Sequence, residues 1–182
     1  WWALGPVCRY FGLTQAVTAL VLCGAPYFLT GFLHLDGFMD VTDAVKSYRD
    51  LERRREILKD SHVGSFAVIG CVLLILAQFA FCVSFNLKTD FRMLLVIPVV
   101  SRCCSALAVN GLPKMTTSQY ARKKVRPADI WIPMLFLAAA LAFGFSLRFR
   151  CGLVLVVELA VYALALLRSY RSLEGMNGDI SG

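Results

Sequence analysis

Five apolar runs, at about 11–33, 64–86, 93–112, 130–147 and 151–169, limit what this chain can fold into more than any other feature. Each approaches the roughly 20 residues that a helix needs to cross about 30 Å of hydrocarbon. A membrane β-barrel requires short segments that alternate between lipid and lumen, and VIGCVLLILAQFAFCV (68–83) does not alternate. The chain is 58% hydrophobic and 17% charged over 182 residues, outside the range of a domain with a solvated surface. The predicted fold is all-α: one polytopic helical membrane bundle over 1–182, with about five transmembrane helices. The sequence opens on Trp1-Trp2 without Met or a basic leader and stops just after a polar tail. A fragment lacking helices at one or both ends is therefore expected.

With five crossings, segments 34–63, 113–129 and 168–182 share one side of the membrane. They carry thirteen Lys and Arg, against five on the opposite side. An excess of basic residues marks the cytoplasmic side, so the long loops and tail are expected there. This topology accounts for the net charge of +7 without nucleic acid as a partner. Seven of the twelve acids also lie in 34–63, which directs the search for function to that face. The seven cysteines lie mostly within apolar runs, show no CxxC spacing, and read as small buried thiols. The stretch VKSYRDLERRREIL (45–58) mixes charge with spaced apolar residues and predicts a helix along the interface. Its RRR run offers either an anion contact or a solvated basic stripe.

HLDGFMDVTD (34–43) raises the functional question. If the first span continues as a helix past Leu33, Asp40 and Asp43 fall about 40° and −20° from Asp36, so all three share one face. Carboxylates so placed repel and call for a cation, and hard oxygens facing a phosphate-sized space suit Mg²⁺ or Mn²⁺. The competing reading is a solvated helix end whose acids are neutralised by the nearby arginines. Gly37 allows close approach of a ligand or a neighbouring helix. His34 points about 160° away from Asp36 and is a candidate substrate contact rather than a ligand of the same ion. In GMNGD (175–179), amides around Gly175 and Gly178 are candidates to cradle a phosphate, with Asp179 a further metal ligand or the segment a plain turn. Arg102 and Glu158 lie at membrane depth, where a lone charge costs several kcal/mol, so they form either a structural pair or a substrate contact.

TGFLHLDGFMDVTDA (30–44), EILKDSHVGSF (56–66) and GMNGDISG (175–182) together resemble the adenosylcobinamide-GDP ribazoletransferase, or cobalamin synthase, family. Its pattern runs GG-x-HLDGLAD-x-x-DG, IMKDS-x-x-G-x-x-G, then G-x-TGD-x-x-G. Ala44, Leu58, Ala67 and Asn177 depart from it, and none of these departures removes a carboxylate. The resemblance implies a Mg²⁺-dependent enzyme of the bacterial-type cytoplasmic membrane, with its site facing the cytoplasm. It joins α-ribazole or its 5′-phosphate to adenosylcobinamide-GDP and releases GMP. By the same resemblance, Asp36, Asp40, Asp43 and Asp60 are the catalytic carboxylates, and Asp36, Asp40, Asp43 and Asp179 are the metal ligands. His34, Gly37, Lys59, Ser61, Arg102 and Gly178 are expected to bind substrate. The remaining expected partner is the lipid bilayer, with a homo-oligomer left open.

Two other readings compete. A CDP-alcohol phosphatidyltransferase has similar chemistry, but its D-x-x-D-G-x-x-A-R signature is broken here at Ala44. A transporter that uses Arg102 and Glu158 would set its ligands near the midplane, whereas this chain gathers its acids at one surface.

Overall fold

The computed structural model describes residues 3–84, 92–115, 118 and 124–181. Among these, the regular structure is α-helical apart from one isolated bridge between Lys114 and Met176. The helices are α1 (Leu4–Tyr10), α2 (Gln15–Leu29), α3 (Leu33–Lys46), α4 (Leu51–Ile57), α5 (Ser65–Ser84), α6 (Met93–Gly111), α7 (Ala128–Leu147), α8 (Phe149–Leu173) and α9 (Gly178–Ser181). Four of them, α5 to α8, are long and apolar enough to span a membrane alone. Their positions agree with the last four apolar runs to within a few residues. Lys88, Arg122 and Lys123, which entered the count of basic residues, lie outside the described residues.

The first apolar run folds differently from expectation. It does not continue as one helix into the aspartates: α2 and α3 meet at 86°, and only as a bent pair do they make a fifth span. Pro26 near the end of α2 and the Thr30 hydroxyl, which donates to the Pro26 carbonyl at 2.8 Å, accompany the stop. The turn itself comes from two successive left-handed residues, Gly31 (φ 58°) and Phe32 (φ 61°). Gly adopts that region freely, while Phe there is strained by its Cβ. At about 1.5 Å per residue, the 15-residue α2 covers only part of a bilayer.

The interfacial helix expected over 45–58 is likewise two pieces. α3 runs to Lys46, Tyr48 takes a positive φ of 53°, and α4 restarts where the Asp50 carboxylate accepts from the Arg53 amide at 2.9 Å. This is an ordinary N-cap.

α6 is the most enclosed spanning helix: 39% of its apolar stretch is buried, against 11% for α5, α7 and α8. It packs with α7 and α8 through Val96, Val100, Cys104, Ala140 and Leu155. The outward faces of α5, α7 and α8 keep Leu73, Leu135 and Leu164 exposed, as lipid-facing positions require. Five of the seven cysteines are buried and all are free thiols. A separate core of Ala44, Leu58, Ala108, Met115, Leu173 and Met176 underlies α3 and binds the ends of α4, α6 and α8 together. The tail is fixed there by backbone bonds, from the Met115 amide to the Met176 carbonyl and from the Met176 amide to the Pro113 carbonyl, both at 2.9 Å. Segments 34–63 and 113–115 and the tail thus meet at one end of the bundle.

Candidate active site

α3 carries its three aspartates as the sequence spacing requires. Asp36, Asp40 and Asp43 line one cleft, whose other wall is Ile57, His62, Val63, Gly64 and Ala67. Asp36 is exposed while Asp40 and Asp43 are half-buried. Gly64 matters because the Asp43 carboxylate lies directly against its α-carbon: a Cβ there would sit 2.0 Å from Oδ2. On the side of α3 between Asp36 and Asp40, Gly37 is buried, and a Cβ would fall 3.1 Å from the Asp179 Cα. The close approach expected at Gly37, of a ligand or a neighbouring helix, is made by α9 in the chain's own tail.

α9 holds Asp179 half-buried at this junction. Asn177 donates from Nδ2 to Asp179 Oδ2 at 2.7 Å, and its Oδ1 accepts from the Ile180 amide at 3.0 Å. One side chain thus caps the short helix and orients the carboxylate. Ser105 donates to the Ser181 carbonyl at 2.6 Å and tethers the tail to α6. Asn177 was read from the sequence only as a departure from the family pattern; an Asn immediately before Gly-Asp was the available capping signal. The other departures are packing positions: Ala44, Leu58 and Ala67 are all buried.

Electrostatics set the character of the cleft. Burial, followed by the charges of Asp36, Asp179 and Asp43, pushes the Asp40 carboxyl up to about 6. Asp179 is also raised, by burial and by Asp36, against the lowering effect of its bond to Asn177. The arginines that were candidates to neutralise these acids are committed elsewhere. Arg54 donates to the Ser172 carbonyl at 3.0 Å, and Arg55 to the carbonyls of Leu173 at 3.0 Å and Glu174 at 2.8 Å. They cap the C-terminal end of α8, where unpaired carbonyls and the helix dipole favour cations. Arg53 pairs with Glu56 across one exposed helical turn. Among the described residues no ion pair involves Asp36, Asp40 or Asp43.

The donor set fits a hard divalent cation: several carboxylate oxygens without a cationic partner, in a cleft where like charges raise one of the pKa values. The cage of four aspartates is not preformed, because among the described residues no three His, Cys, Asp or Glu side chains enclose an ion. Carboxylates pointing to one cleft repel until a cation draws them together. Mg²⁺ in particular is satisfied by one or two carboxylates, with water and substrate phosphates supplying the rest.

The remaining predicted residues divide. Lys59 and Gly178 line a second pocket together with Arg55, Ser118, Asn177 and Asp179. Asp60 is exposed and accepts from the His62 amide at 3.0 Å, with the imidazole Nδ1 at 2.6 Å. That contact lowers the Asp60 pKa and raises that of His62. Asp60 thus orders the 59–64 turn and does not line the acidic cleft, while Ser61 is exposed beside it. His34 lies on the other side of α3, in an apolar cavity, where burial and then the Arg102 charge hold its pKa down. Arg102 is exposed on α6. Among the described residues Arg102 and Glu158 form no ion pair, and Glu158 Oε2 is buried without a hydrogen-bond partner. Gly175 is buried against Met115, with a Cβ position 2.6 Å from Met115 Cγ, so close packing there requires a glycine.

Comparison with known proteins places this geometry in a family. No solved structure matches the chain. An adenosylcobinamide-GDP ribazoletransferase of Clostridium perfringens strain 13 is 38% identical over 91% of this chain and 68% of its own length. Proteins of the same name from Clostridium botulinum strain Alaska E43 and Geobacillus thermodenitrificans are 31% and 34% identical, covering 74% and 71% of those relatives. The family model described as cobalamin-5-phosphate synthase matches residues 1–182. An acidic cleft on a membrane-embedded helical scaffold and similarity along the whole chain lead to one assignment: the chain belongs to the cobalamin-5-phosphate synthase family.

Proposed function

We propose that this protein joins α-ribazole, or its 5′-phosphate, to adenosylcobinamide-GDP and releases GMP, with Mg²⁺ as cofactor. The observation that carries the proposal is the row of aspartates on α3, without an ion-pair partner among the described residues, together with a pocket that bears Arg55, Lys59 and Asp179, the last resting against Gly37 of the same helix. The ribose 3′-hydroxyl oxygen forms a bond to the cobinamide-side phosphorus of the diphosphate. The bond from that phosphorus to the bridging oxygen breaks, and GMP leaves with the electron pair.

Asp36, Asp40, Asp43 and Asp179 are the residues that would hold Mg²⁺, which when bound supplies neutralisation of the diphosphate oxygens. One of the carboxylates of this row takes the hydroxyl proton as general base. Asn177 keeps Asp179 in place, and Gly64 leaves room for the Asp43 carboxylate. Lys59 and Arg55 face the phosphates of the leaving GMP, and Ser61 is a further hydrogen-bond partner at the rim. The basic residues on the site's side support a cytoplasmic orientation in a bacterial cytoplasmic membrane.

GMP release by the protein reconstituted in liposomes, with both substrates and with or without Mg²⁺, tests the reading. Release should need Mg²⁺ and be lost in Asp36→Asn. Turnover indifferent to both changes would sink it.

A further inference from the structure

The polar clefts give the donor diphosphate a place but offer nothing to the acceptor's ring. On the far side of α3 from the aspartates lies a cavity of about 290 Å³, close to the lower bound for small-molecule sites. Tyr27, Phe38, Leu74, Tyr162 and Leu166 are among the residues of its wall. Three polar side chains reach it: His34 from α3, Ser169 from α8 and Asp179 from α9. Asp179 is also a wall of the pocket that holds Arg55 and Lys59. The two hollows therefore adjoin at one carboxylate.

We infer that this cavity seats the flat heteroaromatic base of the acceptor nucleoside, with His34 beside the polar edge of the ring and the ribose directed toward Asp179. The inference rests on the transferase reading and adds to it the place and chemistry of the acceptor. Three aromatic side chains favour a planar ring, which packs against faces and edges alike. A lipid acyl chain fills the same volume less well, because it leaves His34 and Ser169 desolvated without a partner. Helix α3 then acts as a partition, with phosphate chemistry on its aspartate face and base recognition behind it. Asp179 lies where the two substrates meet.

Ala165 faces the cavity from α8, and Ala165→Phe fills it without touching the aspartates of α3. In the reconstituted protein, the acceptor KM should rise by about tenfold or more while the donor KM stays within about twofold, the pattern of lost substrate binding. Unchanged acceptor KM, or a rise in the donor KM alone, overturns the assignment. Phe38→Leu should move the acceptor KM in the same direction and replaces Ala165→Phe if that variant does not fold.

Equilibrium dialysis with labelled benzimidazole separates this inference from the reading beneath it. Benzimidazole bound by the unmodified protein but not by Ala165→Phe, in a preparation that releases no GMP, keeps the cavity assignment and removes the transferase reading. Benzimidazole that fails to bind, or binds both proteins equally while GMP release persists, removes the cavity assignment alone. Binding abolished by added phospholipid but unaffected by either substitution identifies an acyl-chain hollow and also overturns it.

Discussion

The aspartates of α3 and the arginines of α4 are charge clusters of opposite sign about ten residues apart, and the fold treats them oppositely. Arg54 and Arg55 are tied into the fold, since their guanidinium groups hydrogen-bond the last carbonyls of α8, although Arg55 also lines the pocket beside Asp179. Asp36, Asp40 and Asp43 face a shared cleft and have no basic partner among the described residues. A protein that needed only a stable helix end could pair the two clusters at little cost, because opposite charges at neighbouring helix ends attract. Keeping them apart leaves repulsion in the cleft that an external cation relieves. The comparison teaches that the number of charges in a stretch says less about function than which of them the fold leaves unsatisfied.

The strongest way to break this comparison is to remove a cleft charge. Asp40→Asn should lower turnover by roughly 10²-fold or more, the usual worth of a positioned acid or base. Thermal unfolding without Mg²⁺ should show no loss of stability, because the substitution relieves repulsion. A large fall in the midpoint would show that Asp40 is a structural partner after all.

Gly64→Ala leaves every charge intact and displaces only the Asp43 carboxylate. Turnover should fall on the order of tenfold to 10²-fold, since small misplacements at a reacting centre are costly, while the helix content stays unchanged by circular dichroism. Wild-type turnover in this variant would mean that the position of Asp43 does not matter.

Arg55→Met sharpens the other half. Two carbonyls at the end of α8 lose their donor, so stability should fall by about 1–3 kcal/mol, measured by denaturant unfolding in detergent. The donor KM should also rise, because Arg55 borders the pocket proposed for the leaving phosphates. An Asp40→Asn variant that destabilises more than Arg55→Met would reverse the assignment of structural and chemical roles.

The smallest effect concerns the exposed Asp60–His62 contact. His62 is raised by Asp60, so the part of the contact that depends on imidazolium is full at pH below the ordinary His value and fades as pH rises through the raised one. Asp60 is lowered by His62, so its part is present above the ordinary Asp value and fades as pH falls through the depressed one. The contact is therefore tightest in the window between the depressed Asp60 value and the raised His62 value. NMR titration of His62 should report a value above the ordinary one that returns toward it in Asp60→Asn. An unchanged titration would remove the contact as the cause.

Much of the scaffold was legible in the sequence because hydrocarbon leaves few choices: a run such as 68–83 must be helical or find its backbone partners elsewhere. The four long spans emerge close to where apolar composition puts them. The first run was misread because hydropathy carries no information about direction. The 86° bend depends on Gly31 and Phe32 both adopting positive φ, and a Phe gives no warning of that. The common face of Asp36, Asp40 and Asp43 survives the error, since a helical period is the same whichever way the helix points.

The sequence by itself determined the class of the molecule, an α-helical membrane bundle, and the local alignment of three carboxylates, because both follow from composition and a fixed period. Only the tertiary structure decided which charges remain available. It sent Arg54 and Arg55 to the end of α8, folded the tail back so that Asp179 rests on Gly37, and set the Asp43 carboxylate against Gly64. Those outcomes depend on contacts between residues distant in the chain, and the order of residues along a chain does not specify the distances between them.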